Sequence, residues 1–94
     1  MPYIRTTMIK SDKPFKDGLK QFRGSDGEKA LKASGAQWIH MVQTGENSGM
    51  LVSCYATKTQ ANKAWKASAG ARAEVMANDG TIFWPIEGPS KWSA

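Results

Sequence analysis

Five side chains carry most of the chemistry this sequence offers: Trp65, Arg72, His40, Trp38 and Tyr55. Trp65 and Arg72 stand seven apart, which nearly superimposes them on one face of a helix. They belong to a stripe of Ala61, Ala64, Trp65, Ser68, Arg72, Val75 and Met76. An arginine inside such a stripe needs an anion or acceptors, because a desolvated charge without them is costly. One reading is a pocket in which Trp65 forms a wall and Arg72 binds a carboxylate, an enolate or reduced oxygen. The other is structural: Trp65 is core, and Arg72 snorkels to a carboxylate such as Glu87.

His40 is the only histidine and sits between Ile39 and Met41. Its chemistry would be that of a base or a haem ligand. No second His, Asp or Glu stands near it in sequence to orient it, so a hydrogen-bonded structural histidine is the competing reading. Trp38, Tyr55, Phe83 and Trp84 are expected to line a sheet, where aromatic residues mostly pack. No zinc-ligand spacing, phosphate loop or carboxylate pair is present, so no metal site is expected and no catalytic residue is assigned.

These residues are positioned by the stretch 36–56, AQWIHMVQTGENSGMLVSCYA, which reads as two strands and a tight turn. A sheet with one wet face alternates apolar and polar residues. Here neither face is clearly polar. Trp38, His40 and Val42 share one face, and Ile39 and Met41 the other. Helices of this chain can cover one side; the other needs a ligand, a second sheet or a partner chain.

Before the hairpin, residues 3–9 form a strand candidate with Tyr3, Arg5, Thr7 and Ile9 on one side and Ile4, Thr6 and Met8 on the other. Ser11 or Asp12 is placed to cap a helix from about Lys13, with Pro14 in its first turn. Phe15, Leu19 and Phe22 follow helical spacing, and Gly24-Ser25-Asp26-Gly27 interrupts it. A second helical piece is expected over 28–34, ended by Gly35 in left-handed conformation. After the hairpin, Thr57 or Thr59 caps one long amphipathic helix that Asn78-Asp79-Gly80 stops. Residues 81–86 form the last strand, which ends or lies at an edge because of Pro85. The order strand, helix, strand, strand, helix, strand predicts a ferredoxin-like α+β plait: a four-stranded antiparallel sheet with both helices on one face.

Composition sets the bounds. The 94 residues predict one domain, 1–94, with 40% hydrophobic and 22% charged residues. The start MPYIRTTMIK has no signal-peptide pattern, and no apolar run is of membrane-spanning length, so no membrane partner is expected. One cysteine, Cys54, excludes an internal disulfide and fits a cytoplasmic location. The formal charge of +5 is scattered among acids with no basic run, which reads as a solvated surface. The RNA-recognition module shares this topology, but Ser48, Met50 and Val52 stand where its basic and aromatic residues belong, so no nucleic acid is expected.

The topology and length resemble the dimeric α/β-barrel superfamily, which includes antibiotic-biosynthesis monooxygenases, haem-degrading monooxygenases and small stress-responsive barrel proteins. The most specific local resemblance is AWKASAGARAEV, residues 64–75. There the monooxygenase group has a Trp, then Ser three residues on, then His three further on. Trp65 and Ser68 match, while Ala71 replaces the His. The strand Asn of haem-degrading members is also missing from residues 3–9. The resemblance implies a homodimer built open face against open face, with a cavity in each half between sheet and helices. It implies a small apolar or aromatic ligand, an anionic one included, and oxidation without a cofactor as the enzymatic form. A non-enzymatic stress-responsive or structural barrel is the alternative. The ligand-binding set expected on this reading is Trp65, Arg72, His40, Trp38 and Tyr55.

Overall fold

The computed structural model describes residues 2–93. Its elements run β1 (Tyr3–Lys10), α1 (Phe15–Phe22), α2 (Asp26–Lys32), β2 (Trp38–Gln43), β3 (Ser48–Tyr55), α3 (Lys58–Ala67), α4 (Ala69–Asp79) and β4 (Ile82–Pro89). The four strands form one antiparallel sheet in the order β2-β3-β1-β4. This is the ferredoxin-like plait, with the first helical segment in two pieces, as expected, and the second divided as well. Among the described residues no helix is long and apolar enough to cross a membrane.

Local sequence sets most boundaries. The β2–β3 turn closes through bonds from the Thr44 and Gly45 amides to the Ser48 carbonyl. Ser25 caps α2 by accepting from the Glu28 amide, and Glu28 Oε1 accepts from the Gly24 amide. Thr57 caps α3 by accepting from the Gln60 amide. Gly80 ends α4 at φ +61°, a left-handed conformation open to glycine at little cost.

Three expectations are corrected. The first helix starts at Phe15 rather than near Lys13; Pro14 itself takes the cap position with extended ψ of 143°, and neither Ser11 nor Asp12 caps it. The helix after the hairpin is interrupted at Ser68, whose φ and ψ of −93° and 2° are not helical. The Trp65 carbonyl there accepts from Ser68 Oγ and Arg72 Nη1. The last strand runs on to Pro89; as an edge strand it tolerates Pro85, whose ring nitrogen has no proton to donate.

Strand parity sorts the side chains. Tyr3, Arg5 and Thr7 face the helices with Leu51, Ser53 and Tyr55, their register partners on β3. The small core there consists of Tyr3, Tyr55, Ala61 and Ala64, with Ala36 packed against it. The opposite face carries Trp38, Val42, Ile82, Trp84 and Ile86, all exposed, with Ile86 at 66%. Ordinary monomers do not leave an apolar patch of this breadth in water.

Candidate functional site

The helix layer does not fill the space over the sheet. Its inner surface presents Gly27, Ala64 and Ala71, which carry at most a single methyl, and a cavity of about 110 Å³ remains. β1 contributes Arg5 and Thr7; β3 contributes Leu51, Ser53 and Tyr55; α3 and α4 contribute Trp65, Arg72 and Val75. Phe22, Leu31, Met41 and Phe83 complete an almost wholly apolar lining. Ile9, Phe22, Met41, Val75 and Phe83 also border a wider cleft of about 1040 Å³ beside α1 and α4. The Lys13–Asp79 ion pair, at 2.7 Å, lies along that cleft. For scale, a dry engineered cavity of roughly 150 Å³ takes benzene.

Two guanidinium groups bear on the Trp65 ring. The Arg72 Cζ lies 3.5 Å from the ring centroid and the Arg5 Cζ 5.1 Å. Both distances are within cation–π range. Their surroundings differ. Arg5 is 4% exposed and donates from Nη1 to the Ala61 carbonyl at 2.6 Å. Its Nη2 donates to Glu87 Oε2 at 2.6 Å and to Asn62 Oδ1 at 3.3 Å. These bonds tie β1 to β4 and α3. Arg72 donates from Nη1 to the Trp65 carbonyl of α3 at 2.8 Å and to Ser68 Oγ at the break between α3 and α4, both neutral. Among the described residues Arg72 enters no ion pair.

The electrostatics follow from that asymmetry. Burial, and then the charge of Arg5, lower the Arg72 pKa from its ordinary value. Burial pushes the Glu87 carboxyl up, but the hydrogen bond and charge of Arg5 outweigh it, so the pKa is lowered overall. Burial and the neighbouring Glu87 carboxylate raise the Tyr3 phenol. Glu87, the carboxylate named for Arg72 on the structural reading, is taken by Arg5.

The expected ligand set is divided by the sheet. Trp65, Arg72 and Tyr55 meet at the cavity. Trp38 and His40 lie on the other face, their ring centroids 5.5 Å apart, opposite Cys54 and Val52 in the register. Parity forbids a side chain on that face from reaching the helix side, so these two cannot line this cavity. Arg5 was not among the candidates. Its signal was present, since it shares a strand face with Tyr3, Thr7 and Ile9, and a charge among such neighbours needs a partner just as Arg72 does. Among the described residues no cluster of three or more His, Cys, Asp or Glu could hold a metal ion.

No family model matches the chain, and no curated protein matches its sequence. Solved structures do match. A dimeric ferredoxin-like protein from an uncultured marine organism superposes with a TM-score of 0.74 at 10% identity, over 100% of this chain and 98% of that one. SnoaB, a cofactor-independent oxygenase from Streptomyces nogalater, gives 0.76 at 8% identity over 98% and 95%. Rv0793 from Mycobacterium tuberculosis gives 0.71 at 11% identity over 100% and 99%. This chain has their fold. At such identities the likeness is one of architecture, and the chemistry must be argued from the cavity itself.

Proposed function

We propose that the chain is a homodimeric α/β-barrel protein whose cavity binds a small aromatic or apolar molecule bearing one anionic group. The observation that carries this reading is Arg72: a part-buried guanidinium at an apolar cavity, with neutral acceptors only. The apolar walls reward an aromatic body, and the cation rewards a carboxylate or enolate at its end. The exposed apolar sheet face, and a structural neighbour described as dimeric, support the homodimer.

Oxidation without a cofactor is a second reading. It is supported by the fold shared with SnoaB and by a cation placed to stabilise an enolate beside bound oxygen. The inner cavity is lined by neither histidine nor carboxylate, so the protein supplies no evident base there. A substrate would have to arrive already ionised. That balance favours binding as the primary role.

Ligand-observed NMR titrations with benzoate and with benzyl alcohol test the proposal. They share a ring and differ in charge. Wild type should favour benzoate, and Arg72→Leu should lose roughly 1.5–3 kcal/mol of benzoate affinity, the worth of a charged hydrogen bond, with benzyl alcohol little affected. Equal binding of benzoate by the variant would overturn the role of Arg72.

A further inference from the structure

The inner cavity has room for one ring or a short run of carbon atoms. Its volume of about 110 Å³ is roughly four times a water molecule's share of the liquid. A longer ligand whose anionic end reaches Arg72 must place the rest elsewhere. The cleft of about 1040 Å³ beside α1 and α4 meets the cavity, because Ile9, Phe22, Met41, Val75 and Phe83 line both. Gly27 and Ala71 complete the shared border, and a Cβ added at Gly27 would lie 3.4 Å from the Ala71 Cβ. No polar side chain stands at this junction. It suits methylenes and opposes the burial of a charge. Beyond it, Phe15 and Leu19 of α1 add further apolar wall.

The charges of the cleft restrict what can lie in it. Among the described residues the only cation in its lining is Lys13, which is paired with Asp79 at 2.7 Å. Asp26 and Glu74 also line it, so three carboxylates stand against one cation already engaged. A second anionic group carried into the cleft finds no free cation and meets like charge. We propose that the ligand is a long-chain monocarboxylate, with its carboxylate at Arg72 and its alkyl chain running through the junction into the cleft. The inference rests on the anion-binding reading of the cavity and adds the length of the ligand and the place of its tail. A single ring leaves the cleft empty, and a dicarboxylate sets its second charge where the lining is acidic. The inner cavity is smaller than the roughly 150 Å³ that takes benzene, so a file of methylenes enters it where fused rings do not.

Isothermal titration calorimetry on the full chain at neutral pH tests this with hexanoate, dodecanoate, dodecanedioate, naphthoate and dodecanol, each below its aggregation concentration. A fully buried methylene is worth roughly 0.8 kcal/mol, about fourfold in affinity. Val75 is 38% exposed, so burial in the cleft is partial, and dodecanoate should bind about fiftyfold more tightly than hexanoate. Dodecanedioate should bind at least about tenfold more weakly than dodecanoate. Leu19 lines the cleft and not the inner cavity. Leu19→Glu should therefore weaken dodecanoate at least about fivefold and leave hexanoate within a factor of about two. Equal binding of hexanoate and dodecanoate by the wild type, or of dodecanoate and dodecanedioate, would overturn the inference, and neither result depends on a variant that folds. Naphthoate bound more tightly than dodecanoate would overturn the alkyl tail in favour of fused rings. Dodecanol bound as tightly as dodecanoate would remove the underlying anion reading instead, and with it the carboxylate, whatever the dependence on chain length.

Discussion

Arg5 and Arg72 touch the same indole, yet their removal should affect stability very differently. Arg5 bonds to Ala61, Asn62 and Glu87, residues 56 to 82 positions away, and so fastens two strands and a helix. Deleting one member of a buried ion pair costs roughly 3–5 kcal/mol. Glu87 keeps 32% side-chain exposure and can rehydrate, so about 2–3 kcal/mol is the better figure for Arg5→Met. At roughly 4–8 °C per kcal/mol for a domain of this size, the melting temperature should fall by about 8–24 °C. Arg72 bonds only to residues four and seven before it. Arg72→Leu gives up about 1–2 kcal/mol of hydrogen bonding and cation–π attraction. It regains a comparable amount by burying an aliphatic side chain and removing a desolvated charge near Arg5. Its net effect should lie within about 1 kcal/mol, a shift below roughly 8 °C. Thermal melts followed by circular dichroism read both variants at matched concentration. An Arg72→Leu melt as depressed as that of Arg5→Met would refute the division between a structural and a ligand-directed arginine.

Two further outcomes concern the whole assembly and its pH range. Sedimentation equilibrium at micromolar concentration should give about twice 10.3 kDa, and Trp84→Lys, which sets a charge on the exposed sheet face, should shift the mass toward the monomer; a monomeric wild type would remove the barrel. The folded pKa of Glu87 is lowered, so its contribution is present above the ordinary carboxylate value of 4.5 and is lost as pH falls through the folded value; melting temperatures of wild type and Glu87→Gln should differ above that range and converge below it, and a constant gap across it would contradict the Arg5–Glu87 linkage.

The parts of the fold legible in the sequence are those set by local rules. The hairpin, the strand alternation, the Thr57 cap and the Gly80 stop each follow from a few adjacent residues, and element order then leaves one common topology. The interruption at Ser68 is hidden in the sequence because helical spacing continues through it: Trp65, Ser68 and Arg72 keep their stripe, and the break shows only in the Ser68 backbone angles and in the side-chain bonds to the Trp65 carbonyl. Arg5 was hidden for a different reason. Its partner Glu87 lies 82 residues away, and only the β1–β4 register sets the two opposite each other. Trp38 and His40 were assigned correctly to one face of their strand, but which face the helices cover is decided by the crossovers, not by the hairpin.

The same economy explains both the cavity and the charge within it. A chain of 94 residues can bury only about two-thirds of its extended surface, and a close-packed interior would use large apolar side chains for that purpose. Here no large side chain is fully buried among the described residues, and Ala61 and Ala64 supply the helix side of the core. The sheet and helices are instead joined through Arg5, whose fork spans from β1 to Ala61 and Glu87. A guanidinium serves this purpose where a leucine cannot, because its fork of donors bonds to both elements at once. Space remains beside Trp65, at the expense of core packing that a chain of this size could otherwise use. Proteins accept such losses of stability where function needs the volume. On the proposed reading, the positive charge left on Arg72 is what gives that volume a preference for an anionic ligand.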